Sequence, residues 1–147
     1  MHAFHTRAAM ERLGVHPADA HHAVRFSVVG IWVMDEDGRL PTDLWVRLHV
    51  RRCLVDGIPA VIARKGAPSG GTVLLKINQL EKGVRVLSQV RDLDGKLAWM
   101  AALGGGLVPE ADADAYIARA VQRDPDIWVV EVEDRQGRHP FEGKVIG

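Results

Sequence analysis

Between Pro59 and Leu103 the chain delivers four short β-rich runs, "PAVIARK", "TVLLKIN", "VRVLSQV" and "KLAWMAAL", separated by turn-forming residues. No other feature limits the fold as much, because β-branched and aliphatic runs of this length fit strands that must find neighbours. "GAPSGG", between the first two, reads as a glycine-permissive hairpin loop. "RDLDG", between the last two, holds Asp94-Gly95, where aspartate bonds the local backbone and glycine tolerates positive φ.

Helical segments flank these runs. In "PTDLWVRLHVRRCLVDG" a strand-like alternation of Leu44, Val46, Leu48 and Val50 competes with the length of the run. Thr42 or Asp43 as a cap after Pro41, and Gly57 at the far end, decide for a helix. Its projection gives one stripe of Leu44, Leu48 and Val55 and another of Val46, Val50, Cys53 and Leu54. Arg47 and Arg51 divide the stripes on one side, and Trp45, His49, Arg52 and Asp56 on the other, so burial over much of the girth is expected. The second helix begins at Pro109, with Glu110, Asp112 and Asp114 early and Arg119 and Arg123 late, as the helix dipole favours. Ala113, Tyr116, Ile117, Ala120 and Val121 form its apolar face. "DPD" stops it, and "IWVVEVED" supplies a last strand. The expected core order is αββββαβ, an α+β fold with two principal helices on a mainly antiparallel sheet.

His2, His5, His16, His21 and His22 crowd the N-terminus, so composition shifts near residue 33. A short helix over Thr6–Leu13 and an extended run "VRFSVVGIWV" are expected there. Residues 1–33 read as an extension that a mis-assigned start would explain, since Met34 offers an alternative start, and residues 34–147 as a single α+β domain. Equal numbers of basic and acidic residues, 19 each, provide no global field for nucleic acid or an anionic membrane. Cys53 is the single cysteine, which excludes an intramolecular disulfide and a multi-cysteine zinc site and suits a reducing, cytoplasmic setting. The uncharged stretch Leu97–Val108 falls short of the roughly 20 residues that span a bilayer.

Two groups of residues carry candidate chemistry. Arg47, Arg51, Arg52, Arg64 and Lys65 form a basic group that can fork onto phosphate or carboxylate, or simply edge a solvated helix. Glu131, Glu133 and Asp134 invite comparison with metal-dependent nucleases, but Arg135 stands where that chemistry usually wants a lysine. Cys53 and His49 lie one helical turn apart without a third, orienting group, and Cys53 projects among apolar residues. "RKGAPSGG" has the glycines of a phosphate loop but a strand on both sides instead of a following helix. No cofactor or metal is expected.

"LPTDLWVRLHVRRC", "AVIARKG", "GTVLLKIN" and "AYIARAVQRDPDIWVVEVEDRQGRH" occur in one order and together resemble a small bacterial family known only as a domain of unknown function, DUF1491, over about residues 38–141. The most specific pieces are Trp45 with Arg51-Arg52-Cys53, and Asp124-Pro125-Asp126 leading into Trp128 and Glu131–Arg135. The resemblance implies a stand-alone protein of roughly the length that follows Met34, and no activity or site that can be carried over. The expected function is that of a non-enzymatic accessory or binding domain for a protein partner or a small anion. The alternative is a metal-dependent or nucleic-acid-processing enzyme built from the basic helix edge and the acidic strand.

Every strongly periodic element lies after Met34, so a chain of residues 34–147 should retain a cooperative thermal transition. Loss of that transition on deleting residues 1–33 would overturn the boundary.

Overall fold

The computed structural model describes residues 40–146, so the helix and extended run expected before residue 34 lie outside the described residues. Helix α1 (Thr42–Val55) precedes strands β1 (Ala60–Arg64), β2 (Val73–Asn78), β3 (Val84–Arg91) and β4 (Leu97–Ala101). Helix α2 (Glu110–Arg123), β5 (Trp128–Glu133) and β6 (Lys144–Ile146) follow, so the order is αββββαββ. β6 was not expected, because three residues after "HPFEG" carry too little periodicity to register as a strand.

All six strands join one sheet in the order β1-β5-β2-β3-β4-β6. β2–β3 and β3–β4 are antiparallel, as expected of neighbours joined by tight turns. The expected β1–β2 hairpin is corrected: β5 lies between these strands, antiparallel to β1 and parallel to β2. β6 also runs parallel to its neighbour β4, so the sheet is mixed and not mainly antiparallel.

The physical reason lies in the loop after β1. Instead of folding β1 onto β2, it clasps the start of β5. The Ala67 N–H donates to Asp126 O (3.0 Å), the Trp128 N–H to Thr72 O (2.8 Å), and the Trp128 indole Nε1–H to Ala67 O (2.7 Å). A Cβ at Gly66 or Gly71 would strike the Asp126 carbonyl oxygen and the Trp128 ring. These glycines therefore serve close backbone approach.

Side-chain alternation divides the core between the two sheet faces. On one, Val73, Leu75, Ile77, Leu87, Trp128, Val130 and Val132 pack with Val46 and Cys53 of α1. On the other, Leu74, Val84, Val86 and Val129 meet Ala113 and Ala120 of α2, flanked by Ile117, Val121 and Tyr116. The helices thus cover opposite faces, and β2 is buried on both sides because it is a central strand.

α1 ends as its glycine suggested. The Gly57 N–H donates to Leu54 O and the Ile58 N–H to Cys53 O, with Gly57 at φ 77° and Ile58 buried. The expected burial of α1 needs correction. Val46, His49 and Cys53 are buried, and Trp45 and Val50 pack beside them. Leu54 and Val55 instead face outward, at 57% and 75% exposure. A helix lying on one sheet face buries one stripe, and Phe141, from the segment before β6, packs with Trp45 and His49 and draws them inward.

The loop clasp predicts a sharp contrast between adjacent glycines. Gly71→Ala should cost about 2–3 kcal/mol, since the new methyl meets rigid backbone. Gly70→Ala, with nothing within 4 Å of the added carbon, should be near neutral in urea denaturation. Equal midpoints for the two variants would contradict the clasp.

Candidate functional site

The basic residues expected to act together have diverged in their engagements. The Arg47 guanidinium pairs with Asp43, one turn earlier on α1, at 2.6 Å. The Arg64 guanidinium donates to the Pro125 and Ile127 carbonyls at 2.9 and 2.7 Å, with a longer contact to Lys65 O, and so ties the irregular end of β1 to the entry of β5. Arg51, Arg52 and Lys65 are exposed. The outward face of α1 thus combines Arg47, Arg51 and Arg52 with exposed Leu54 and Val55 and half-buried Leu44 and Leu48.

The acidic residues also have separate engagements. Glu131 lies on the α2 face of β5 and sits 3.6 Å from the Lys76 ammonium, while its second oxygen accepts from Asn78 at 3.3 Å. Glu133 is exposed. Asp134 accepts from the Arg138 backbone and guanidinium, and this partner holds its carboxyl down to about 2. Among the described residues no group of three or more His, Cys, Asp or Glu side chains is arranged to hold a metal ion.

Lys76 stands apart from both groups: a lone lysine in "VLLKIN" is a charge that needs partners. It projects from β2 toward α2, nearly buried, and its ammonium reaches Glu110 at 2.7 Å and Asp114 at 2.8 Å. Those carboxylates lie one turn apart at the start of α2, so one cation spans helix and sheet. Burial pushes the ammonium down, but Asp114, Glu110 and Glu131 outweigh it and hold it above the ordinary lysine value. Its stabilising contribution is therefore complete at neutral pH and is lost only as pH rises beyond the ordinary lysine range through the folded value.

A second unforeseen cluster gathers under α1. The His49 Nδ1–H donates to Trp45 O at 2.8 Å, and its Nε2 lies 3.4 Å from Glu142. Phe141 stacks on the His49 ring at 5.3 Å and meets Trp99 edge-on at 6.2 Å. Trp99 Nε1–H donates to Glu142 O at 2.8 Å. Cys53, also buried on this face, is pushed up to about 11, first by burial and then by Asp56. A thiol in that state is a poor nucleophile.

Lys76→Met should destabilise the protein by about 1–3 kcal/mol, less than for a fully buried pair because its partners reach solvent. Amide exchange should quicken first in α2. Unchanged stability and unchanged α2 exchange would show that the ion cluster does not hold the helix.

Comparison with known proteins adds family but no activity. A family model described as "Protein of unknown function (DUF1491)" matches residues 40–142. No curated protein matches. A crystal structure of a DUF1491 family protein from Caulobacter crescentus is 42% identical, covering 73% of this chain and 99% of that one, with a TM-score of 0.66. An NMR structure of a DUF1491 family protein from the same organism is also 42% identical, covering 74% and 97%, with a TM-score of 0.64. The solution structure of protein Atu0922 from A. tumefaciens shares the fold at 22% identity and TM-score 0.56, covering 65% of this chain and 86% of its own. With a matched segment spanning the helix, clasp and central strands described above, the chain belongs to the DUF1491 family of proteins of unknown function.

Proposed function

We propose that this protein is a non-enzymatic accessory or binding domain, working in the cytoplasm and engaging a protein partner through the outer face of α1. The observation that carries this reading is the mixture on that face. Exposed Leu54 and Val55 stand among the cations of Arg47, Arg51 and Arg52. Apolar side chains with arginines at their borders suit a partner surface that is apolar at its centre and acidic at its rim, where arginine supplies both stem area and directed hydrogen bonds. Arg51, Arg52 and Lys65 also remain available for a small anion, whereas Arg64 and Arg47 already have partners.

An enzymatic reading has less support, because the reactive side chains are held in contacts that stabilise the fold. Lys76 is fastened by three carboxylates, Asp134 by Arg138, and the Cys53 thiol is buried. No helix among the described residues is long and apolar enough to cross a membrane.

Leu54→Glu with Val55→Glu should weaken capture of the partner from host extract by about tenfold or more, while stability stays within about 0.5 kcal/mol as for other exposed positions. Arg51→Ala with Arg52→Ala should lower retention on a polyanion at low salt. Undiminished capture and retention by both pairs would sink the α1 interface. Metal-dependent hydrolysis of nucleic acid, abolished by Glu131→Gln, would establish the enzyme instead.

A further inference from the structure

Residues 139–142, "HPFE", cross the α1 side of the sheet between two anchored ends. At one end Arg138 pairs with Asp134 at 2.8 Å. At the other, Glu142 O accepts the Trp99 indole N–H, and the chain enters β6, whose pairing with β4 covers only three residues. Phe141 is the centre of the crossing. It is buried, and it touches the rings of Trp45, His49 and Trp99.

Each end of this segment involves a histidine, and the two have different surroundings. His49, from α1, has a carbonyl on one nitrogen and the Glu142 carboxylate near the other. A proton added to its ring finds an acceptor. His139, from the segment itself, lies 6.2 Å from the Phe141 ring, and its buried Nδ1 has no hydrogen-bond partner. The charged group that acts on it from the sheet is Arg85 of β3, whose own Nε is also buried and unpartnered. A proton on His139 therefore adds a second cation where the first already lacks a full set of partners. Burying such a charge is costly without a counter-ion.

We propose that residues 139–142 are an acid-operated strap: protonation of His139 against Arg85 lifts the segment away from α1 and uncovers the aromatic cluster of Trp45, Trp99 and Phe141. Burial and then Arg85 hold the His139 ring below the ordinary value of 6.5, so the closed form resists the proton that a lifted strap accepts. Above that value neither form takes the proton and the strap stays closed. As pH falls below it, opening becomes more favourable until the closed-form value is reached, by about tenfold for each unit between the two values. His49 works in the same direction, since burial lowers it first and Arg52 adds to that, but Trp45 O and Glu142 relieve its charge. His139 has no comparable relief, so it sets the response.

Residue-resolved hydrogen exchange on the full chain tests this, read at pH 7.5 and 5.5 after correction for the intrinsic pH dependence of exchange. The expected result is faster exchange at the lower pH for the Trp99 indole N–H, whose bond to Glu142 O the closed segment holds, while β2 amides keep their protection. His139→Gln should abolish the acceleration and His49→Gln should retain it. Arg85→Gln keeps His139 but removes the opposing cation, and should reduce the acceleration even if His139→Gln fails to fold. Equal acceleration in β2 would mean global unfolding and overturn the strap. An undiminished acid response in both His139→Gln and Arg85→Gln, or none in the unmodified protein, would overturn it as well.

Discussion

The insertion of β5 between β1 and β2 is the constraint on which the remaining structure rests. β5 bonds to both neighbours and contributes to both sides of the sheet: Trp128, Val130 and Val132 toward α1, and Val129 toward α2. A strand arriving so late in the chain must find a prepared slot. The loop between β1 and β2 provides it by accepting and donating backbone hydrogen bonds around Asp126 and Trp128, at a distance only glycine permits. Arg64 reinforces the seam from the outer strand by donating to two carbonyls just before β5. Buried backbone groups that would otherwise lie unpaired are satisfied in this way, and unpaired groups are among the costlier defects a fold can carry.

The charged side chains serve this architecture unequally. Exposed pairs such as Arg135 with Glu81 are solvated and screened and contribute little. Lys76 differs, since it is nearly buried and its ammonium joins α2 to β2 and β5 through three carboxylates. A methionine of similar length would fill the same space without the charge that reaches the three carboxylates. Registry of α2 is the natural consequence of a cation that meets Glu110, Asp114 and Glu131 together.

α1 has two faces of different character. Its inner stripe is locked into the sheet by Val46 and Cys53 and into the 139–142 segment by Trp45 and His49. Its outer stripe, arginine and aliphatic, is supported by the inner one without being buried by it. Proposals for a partner and for an acid-sensitive strap therefore concern opposite sides of one helix. A strap that loosens the inner side would also alter how rigidly the outer side is presented, because both stripes share one backbone.

Much of this fold was written locally. Strand alternation, the turn at Asp94-Gly95, the Gly57 helix end and the apolar face of α2 depend on residues a few positions apart, so local periodicity and backbone preference sufficed, although in the turn the carboxylate that accepts from the Asp94 and Lys96 N–H groups is that of Asp92 and not of Asp94. The neighbours of each strand were not local. A pleated run specifies which side chains share a face, but its hydrogen bonds are generic, and nothing in "PAVIARK" distinguishes β2 from β5 as a partner. The candidate sites followed the same division. Arg51 and Arg52 stayed at the surface as helical spacing suggested and Asp134 met Arg138 only four residues on, whereas Arg64 and Glu131 acquired partners from distant segments. Lys76 was visible as an anomaly, and only the docking of α2 supplied Glu110 and Asp114. His49 and His139 acquired their environments from burial against Phe141 and Arg85, which depends on how the chain closes in three dimensions.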